Sequence, residues 1–229
     1  MARTLHTLCG SDPARRFSPH CWKIVMALAH KGLDFAERPT PFTGIVAIED
    51  GFSPTVPVLR DNDRLLRESF DIAVYLEETY PDRPSLFGGE GGRALSRMVE
   101  GYVQTVVQAA LMKIIVKDIH DCLAPADQIY FRTTRERRLG RRLEEVEAVS
   151  EAERAAFPPR LDPVRHMLRF QPFLGGAGPL FADYILFGAL QWARVVSPRQ
   201  MLAADDPVAG WFERCLDLHG GVGRAVAIA

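Results

Sequence analysis

Three short stretches carry residue types whose spacing could do chemistry. Ser18-Pro19-His20-Cys21 opens a long apolar run, Val56-Pro57 falls in a strand-like segment, and Glu68-Ser69 precedes a second helix-like segment. The first has the outline of a redox-type Cys-Pro-X-Cys motif with serine in the leading cysteine's place. A helix amino terminus presents unpaired N–H groups and about half a positive charge, so it favours an anion. A serine hydroxyl there can donate a hydrogen bond to that anion, or serve only as an N-cap worth ~1 kcal/mol. Cys21 is the rival group: a first-turn cysteine can have its pKa lowered and attack as a thiolate, or it can simply pack. Glu68 suits an ammonium, and Ser69 with the helix N–H groups suits a carboxylate; the same pair also reads as a helix cap. Pro57 removes a ladder donor, which marks an edge or broken strand position.

Other signatures drop out. The glycine clusters at 88–92, 175–178 and 220–223 lack a following Lys-Ser/Thr and read as turns. No Gly-X-Ser-X-Gly elbow occurs. His120-Asp121-Cys122 is the one tight group of metal-ligand types and lacks second-pair spacing, so no metal is expected.

The elements that must position these residues follow from periodicity. "RTLHTLC" and "DFAER" are strand candidates flanking a helix from Ser18 to Lys31 that Gly32 closes. On that helix His20, Lys23, His30 and Lys31 form one polar stripe, read as solvated, while Ile24, Val25 and Leu28 face a sheet. A Pro-, Thr- and Gly-rich loop follows. Val56 to Arg60 and Arg64 to Leu66 then read as strand, turn, strand before the helix "FDIAVYLEETY". The order β-α-β, β-β-α describes a small α/β unit. "YPDRPSLFGGEGG", with two prolines and four glycines, is the linker candidate. Beyond it all is helical in pattern: Leu139, Leu143, Val146 and Val149 form one stripe over 135–149, and 183–196 is apolar nearly all round, a buried central helix.

Composition sets the outer bounds. The chain has 229 residues, 47% hydrophobic and 25% charged, enough for one large or two small domains. Twenty-eight basic and 29 acidic residues give a net charge of −1, with no pull toward nucleic acid or anionic membrane. Cys9, Cys21, Cys122 and Cys215 are scattered, as in a reduced intracellular protein. The apolar stretch "YILFGALQWARVV" is shorter than the ~18 residues of a spanning helix. The expectation is a soluble cytoplasmic protein.

In order and spacing, Ser18, Val56-Pro57 and Glu68-Ser69 resemble the thioredoxin-like domain of the glutathione S-transferase superfamily, and the likeness covers the whole chain. "FSPHCWKIVMALAHKGLDF", "FTGI", "VPVL", "YPDRPSLF" and "LGGAGPLFADY" are similar to segments of its serine-type, bacterial β-etherase-like branch. The resemblance implies an α/β thioredoxin-like N-terminal domain (residues 1–81), a linker (82–92) and an all-α C-terminal domain (93–229). It implies glutathione as co-substrate with no tightly bound cofactor, a small apolar electrophile as the other substrate, and a homodimer.

Residue by residue, it implies Ser18 as the catalytic group on the glutathione thiol. Pro57 would be in the cis form, Val56 would offer its backbone to the cysteinyl part, and Glu68 and Ser69 would hold the γ-glutamyl part. Phe17 either walls the thiol side or staples the helix start, and Arg194 either faces the second-substrate cleft or makes an ion pair. A thiol of pKa ~8.5 needs ~2.7 kcal/mol of preference for the anion to fall ~2 units. One charge-assisted hydrogen bond (~1.5–3 kcal/mol) and a helix dipole (~0.3–2 kcal/mol) suffice. Aryl ether cleavage is one implied reaction; a glutathione-dependent reductase using Cys21 and a non-catalytic glutathione-binding module are the alternatives. One departure stands out: Leu180 occupies the place of the family's usual Ser or Thr, so Asp183 is expected to lack its usual capping partner.

Overall fold

The computed structural model describes residues 3–229. Strands β1 (Arg3–Leu8), β2 (Ala36–Thr40), β3 (Val58–Asp61) and β4 (Arg64–Arg67) form one mixed sheet in the order β2-β1-β3-β4. β1 runs parallel to β2 and antiparallel to β3, and β3 is antiparallel to β4. Leu5 and Leu59 are register partners and both are fully buried, which ties the two middle strands to the core. Helices α1 (Pro19–His30) and α2 (Ser69–Thr79) complete the thioredoxin-like unit. Pro57 therefore stands just before an interior strand rather than in an edge strand, so no ladder bond is lost. The Pro-rich loop after β2 contains 3-10 turns over Phe42–Gly51, with Glu49 and Asp50 in the left-handed region.

The remainder is helical: α3 (Glu90–Tyr102), α4 (Ala109–Asp121), α5 (Pro125–Leu139), α6 (Leu143–Glu147), α7 (Ser150–Ala155), α8 (Asp162–Leu168), α9 (Phe181–Val196) and α10 (Pro207–Gly221). A π-helical turn, Val103–Gln108, joins α3 to α4. Together they make one helix, Glu90–Asp121, long and apolar enough by length and composition to cross a membrane. Here its Val103, Val107, Leu111 and Ile115 are buried in the bundle. The sequence reading missed this length because the charges at Arg97, Glu100 and Lys113 break up the apolar run. The stripe read over 135–149 is likewise two helices: Gly140 adopts φ +65° and donates its N–H to the Glu136 carbonyl, ending α5.

α9 is the central rod, and every residue of it except Arg194 is buried. It packs along α1, where the predicted solvated stripe is in fact interior: Lys23 and Lys31 are fully buried. Lys31 ion-pairs with Glu77 at 2.6 Å and donates to the Tyr80 carbonyl. The Tyr184 hydroxyl stands 2.6 Å from His30 Nδ1 and 2.8 Å from His219 Nε2, linking α1, α9 and the end of α10. The stripe was misread because a polar helical face was assumed to meet water, whereas here it meets polar groups of a second layer.

Burial holds both imidazoles below their ordinary pKa, His219 at about 4, with Lys31 adding to the shift at His30 and His30 to that at His219. Between the ordinary value of 6.5 and about 4 the unfolded chain therefore binds more protons than the folded one. Stability should fall as pH drops through that window. Denaturant unfolding of wild type and His219→Gln at neutral pH and near pH 5 should show a shallower acid loss in the variant; identical slopes would contradict the assignment.

Candidate functional site

A cavity of about 410 Å³ opens between the sheet domain and α3. Val56, Pro57, Glu68 and Ser69 line it from one side, Arg97, Glu100 and Gln104 from the other, and His20 from the first turn of α1. The Val56–Pro57 peptide bond is cis. Neither the N–H nor the carbonyl of Val56 is taken by another described residue, so both are open to a ligand. Glu68 sits at φ +64°, a conformation costly for a residue with a Cβ, and it precedes the start of α2. The α2 ladder begins with Ile72 N–H on the Glu68 carbonyl, so the N–H groups of Ser69, Phe70 and Asp71 are free at the cavity wall.

Beneath this wall lies Lys23, which the sequence reading did not single out as a site residue. Its Nζ donates to Glu100 Oε1 at 2.9 Å and to Ser69 Oγ at 3.4 Å. Burial lowers its pKa, opposed mainly by Glu100 and further by Glu68. Arg97 in turn donates to Glu100 at 3.2 Å and lies over the Phe70 ring. Positions 97, 100 and 104 share one helical face, the only sequence signal that could have revealed them. His20 is not a solvated residue: burial and the Lys23 charge push its pKa down to about 3, so it is neutral.

Ser18 and Phe17 do not line the cavity. Ser18 is the N-cap of α1 and 4% exposed; its Oγ accepts the Cys21 N–H at 3.3 Å. That uses one lone pair, and the hydroxyl also faces the Cys21 thiol, whose anion it favours. Phe17 is 1% exposed, packed 6.2 Å from Phe42, which lies among Tyr130, Phe131 and Arg135 of α5. Asp127 of α5 fastens this cover by accepting the Phe42 and Thr43 N–H groups at 2.7 and 2.8 Å.

Cys21 is 3% exposed, and burial pushes its thiol up to about 12. It is a packing residue. Arg194 is placed away from this cleft, in a cavity formed by the helical region alone. Asp183 does not lack partners: it accepts N–H groups of Leu174, Gly175 and Leu180 and the Trp211 indole. A loop and a tryptophan do the work expected of a capping hydroxyl. No group of three or more metal-ligand side chains exists among the described residues.

Comparison with known proteins agrees with this fold. The family model described as "Glutathione S-transferase, N-terminal domain" matches residues 13–84, and "Glutathione S-transferase, C-terminal domain" matches residues 94–218. The chain belongs to the glutathione S-transferase family. It is 25% identical over 217 residues to the "Glutathione S-transferase-like protein ustS" of Aspergillus flavus, covering 82% of this chain and 77% of that protein. Among solved structures it is similar to glutathione transferase GSTFuA3 of Phanerochaete chrysosporium, with 25% identity, a TM-score of 0.81, and 100% and 98% of the two chains covered. The fold is shared with CsGST63524 of Ceriporiopsis subvermispora, a structure in complex with glutathione, at 22% identity, TM-score 0.78 and coverage of 99% and 98%.

Breaking a buried ion pair costs more than removing both members. Lys23→Met should lower unfolding free energy by ~3 kcal/mol, and adding Glu100→Met should restore most of it. Urea unfolding of both singles and the double closes the cycle; additive losses would show the pair to be uncoupled.

Proposed function

We propose that the chain is a glutathione transferase that binds the tripeptide in the cavity between Val56 and Arg97 and attacks an apolar electrophile with its sulfur. The observation that carries this is the convergence of Val56, cis-Pro57, Glu68 and Ser69 on one cavity at the open start of α2. A γ-glutamyl group is a zwitterion. Its ammonium suits Glu68, and its carboxylate suits the Ser69 hydroxyl with the free α2 N–H groups. The free backbone of Val56 suits the cysteinyl peptide unit. The volume lies within the ~300–1,000 Å³ of small-molecule sites.

Ser18 then meets the sulfur. Its hydroxyl accepts from Cys21 N–H, and its proton can turn to a thiolate because the neighbouring Cys21 thiol is held protonated and does not compete as an anion. Donated to a thiolate, that bond and the α1 dipole supply the preference for the anion. The thiolate attacks an electrophilic carbon and the leaving group departs with the bonding pair. Likeness to the etherase branch makes a phenolate from an aryl ether the leaving group to test first. The scattered cysteines favour a cytoplasmic location, and likeness to the family favours a homodimer. The Cys21 reductase reading is disfavoured by a buried thiol held protonated.

Titrating the thiolate absorbance of bound glutathione tests the proposal. Ser18→Ala should raise the midpoint by ~1–2 units, the value of one charge-assisted hydrogen bond, and slow conjugation accordingly. Cys21→Ser should leave both unchanged. A midpoint unmoved in Ser18→Ala would sink the assignment, and bound glutathione without turnover on any electrophile would favour the binding-module alternative.

A further inference from the structure

Ser18 is folded back on its own helix, with its Oγ on the Cys21 N–H, and it does not line the cavity between the sheet domain and α3. The residue of that turn which does reach the cavity is His20, two positions further on. It shares the wall with Val56, Pro57, Glu68 and Ser69.

His20 has no duty inside the protein. Five of the six histidines are engaged: His6 on Glu49, His30 and His219 on Tyr184, His120 on Asp121, and His166 against the Phe170 ring. At His20 neither ring nitrogen has a hydrogen-bond or ion-pair partner among the described residues, and neither is sealed in the interior. Burial and the Lys23 charge keep the ring neutral, so it carries one N–H donor and one bare nitrogen.

On the glutathione reading of the cavity, the γ-glutamyl charges meet Glu68 and the α2 N–H groups, and the cysteinyl peptide unit meets Val56. The cysteinyl sulfur is then the part left for the α1 side. The amino-terminal end of α1 favours an anion there, and the Lys23 ammonium that disfavours an imidazolium favours a thiolate in front of it.

We infer that His20 is a second catalytic residue, whose neutral imidazole donates its N–H to the glutathione thiolate from the cavity side while Ser18 donates from the helix cap. This rests on the glutathione reading. The ring takes up no proton in this role. It supplies one hydrogen bond, and keeps supplying it across the pH range in which an ordinary histidine changes charge.

Titrating the thiolate absorbance of bound glutathione tests this. His20→Phe, a ring without a donor, should raise the midpoint by about 1 pH unit, and kcat/KM at neutral pH should fall about tenfold. His20→Asn, a neutral donor, should keep most of the wild-type behaviour. A midpoint that His20→Phe leaves in place, or one that His20→Asn raises equally, overturns the inference while the glutathione reading stands. A wild-type midpoint no lower than that of free glutathione overturns both. If the phenylalanine variant does not fold, the wild type decides by proton NMR. Glutathione should move the His20 imidazole N–H resonance downfield, and S-methylglutathione, which has no thiolate, should not; equal shifts overturn the inference.

Discussion

The close approach of α9 to the first turn of α1 is the constraint on which the site depends. A Cβ on Gly188 would fall 2.3 Å from the Pro19 carbonyl oxygen, well inside contact distance. Glycine is required there for room, not for backbone freedom, since Gly188 is ordinary helix. The contact sets the helix start that carries Ser18 directly on the most buried element of the molecule. From that point the seam continues along α1. Trp22 meets Phe187 edge to face at 6.0 Å, and His30 reaches Tyr184. An aromatic pair and a hydrogen bond on one rod hold α1 in angle as well as position. The serine's placement is thus a property of the seam between two layers, not of the sheet domain alone.

Electrostatics at the same seam run through Lys23. A fully buried ammonium is expensive to keep charged, and an apolar residue of similar volume would serve stability as well or better. What lysine adds is position: one Nζ holds Ser69 from the thioredoxin-like unit and Glu100 from α3, the two walls of the cavity. Of the charged side chains that line the cavity, Glu68, Asp71 and Glu100 are negative and Arg97 is positive, with Lys23 beneath the wall. Glu68 for an ammonium and the free α2 N–H groups for a carboxylate make such a wall suit a zwitterion.

Much of this was legible in the sequence where the signal is local. Ser18-Pro19 announces a helix start because a serine cap and a proline at the first helical position are both local devices. The α/β-then-helical division follows from a change in hydrophobic period across a Gly- and Pro-rich stretch. The failures share a cause. Lys23, Lys31 and His30 read as surface groups because sequence shows polarity but not the partner that makes burial tolerable. Arg97, Glu100 and Gln104 sit on a charged helical face indistinguishable from a solvated one until the sheet domain is placed against it. Asp183 misled in the opposite direction: its expected neighbour is absent, but Trp211, 28 residues away, and a turn from Leu174 to Gly175 satisfy it.

Ser18 is 4% exposed, which raises the question of whether a dry thiol seat helps or hinders. The residue before it, Phe17, packs on Phe42 and through it on Phe131 of α5, and Asp127 holds the Phe42 and Thr43 backbone. Desolvation alone would raise the pKa of any thiol, as it does for Cys21 only three residues away. At Cys21 burial outweighs the Ser18 hydroxyl and the Leu8 backbone, both of which favour its thiolate, and the sulfur also lies 4.0 Å from the His6 carbonyl, an acceptor. On the function proposed above, the glutathione sulfur would meet the same hydroxyl and the positive end of α1, and the preference for its anion requires those interactions to exceed its own desolvation cost.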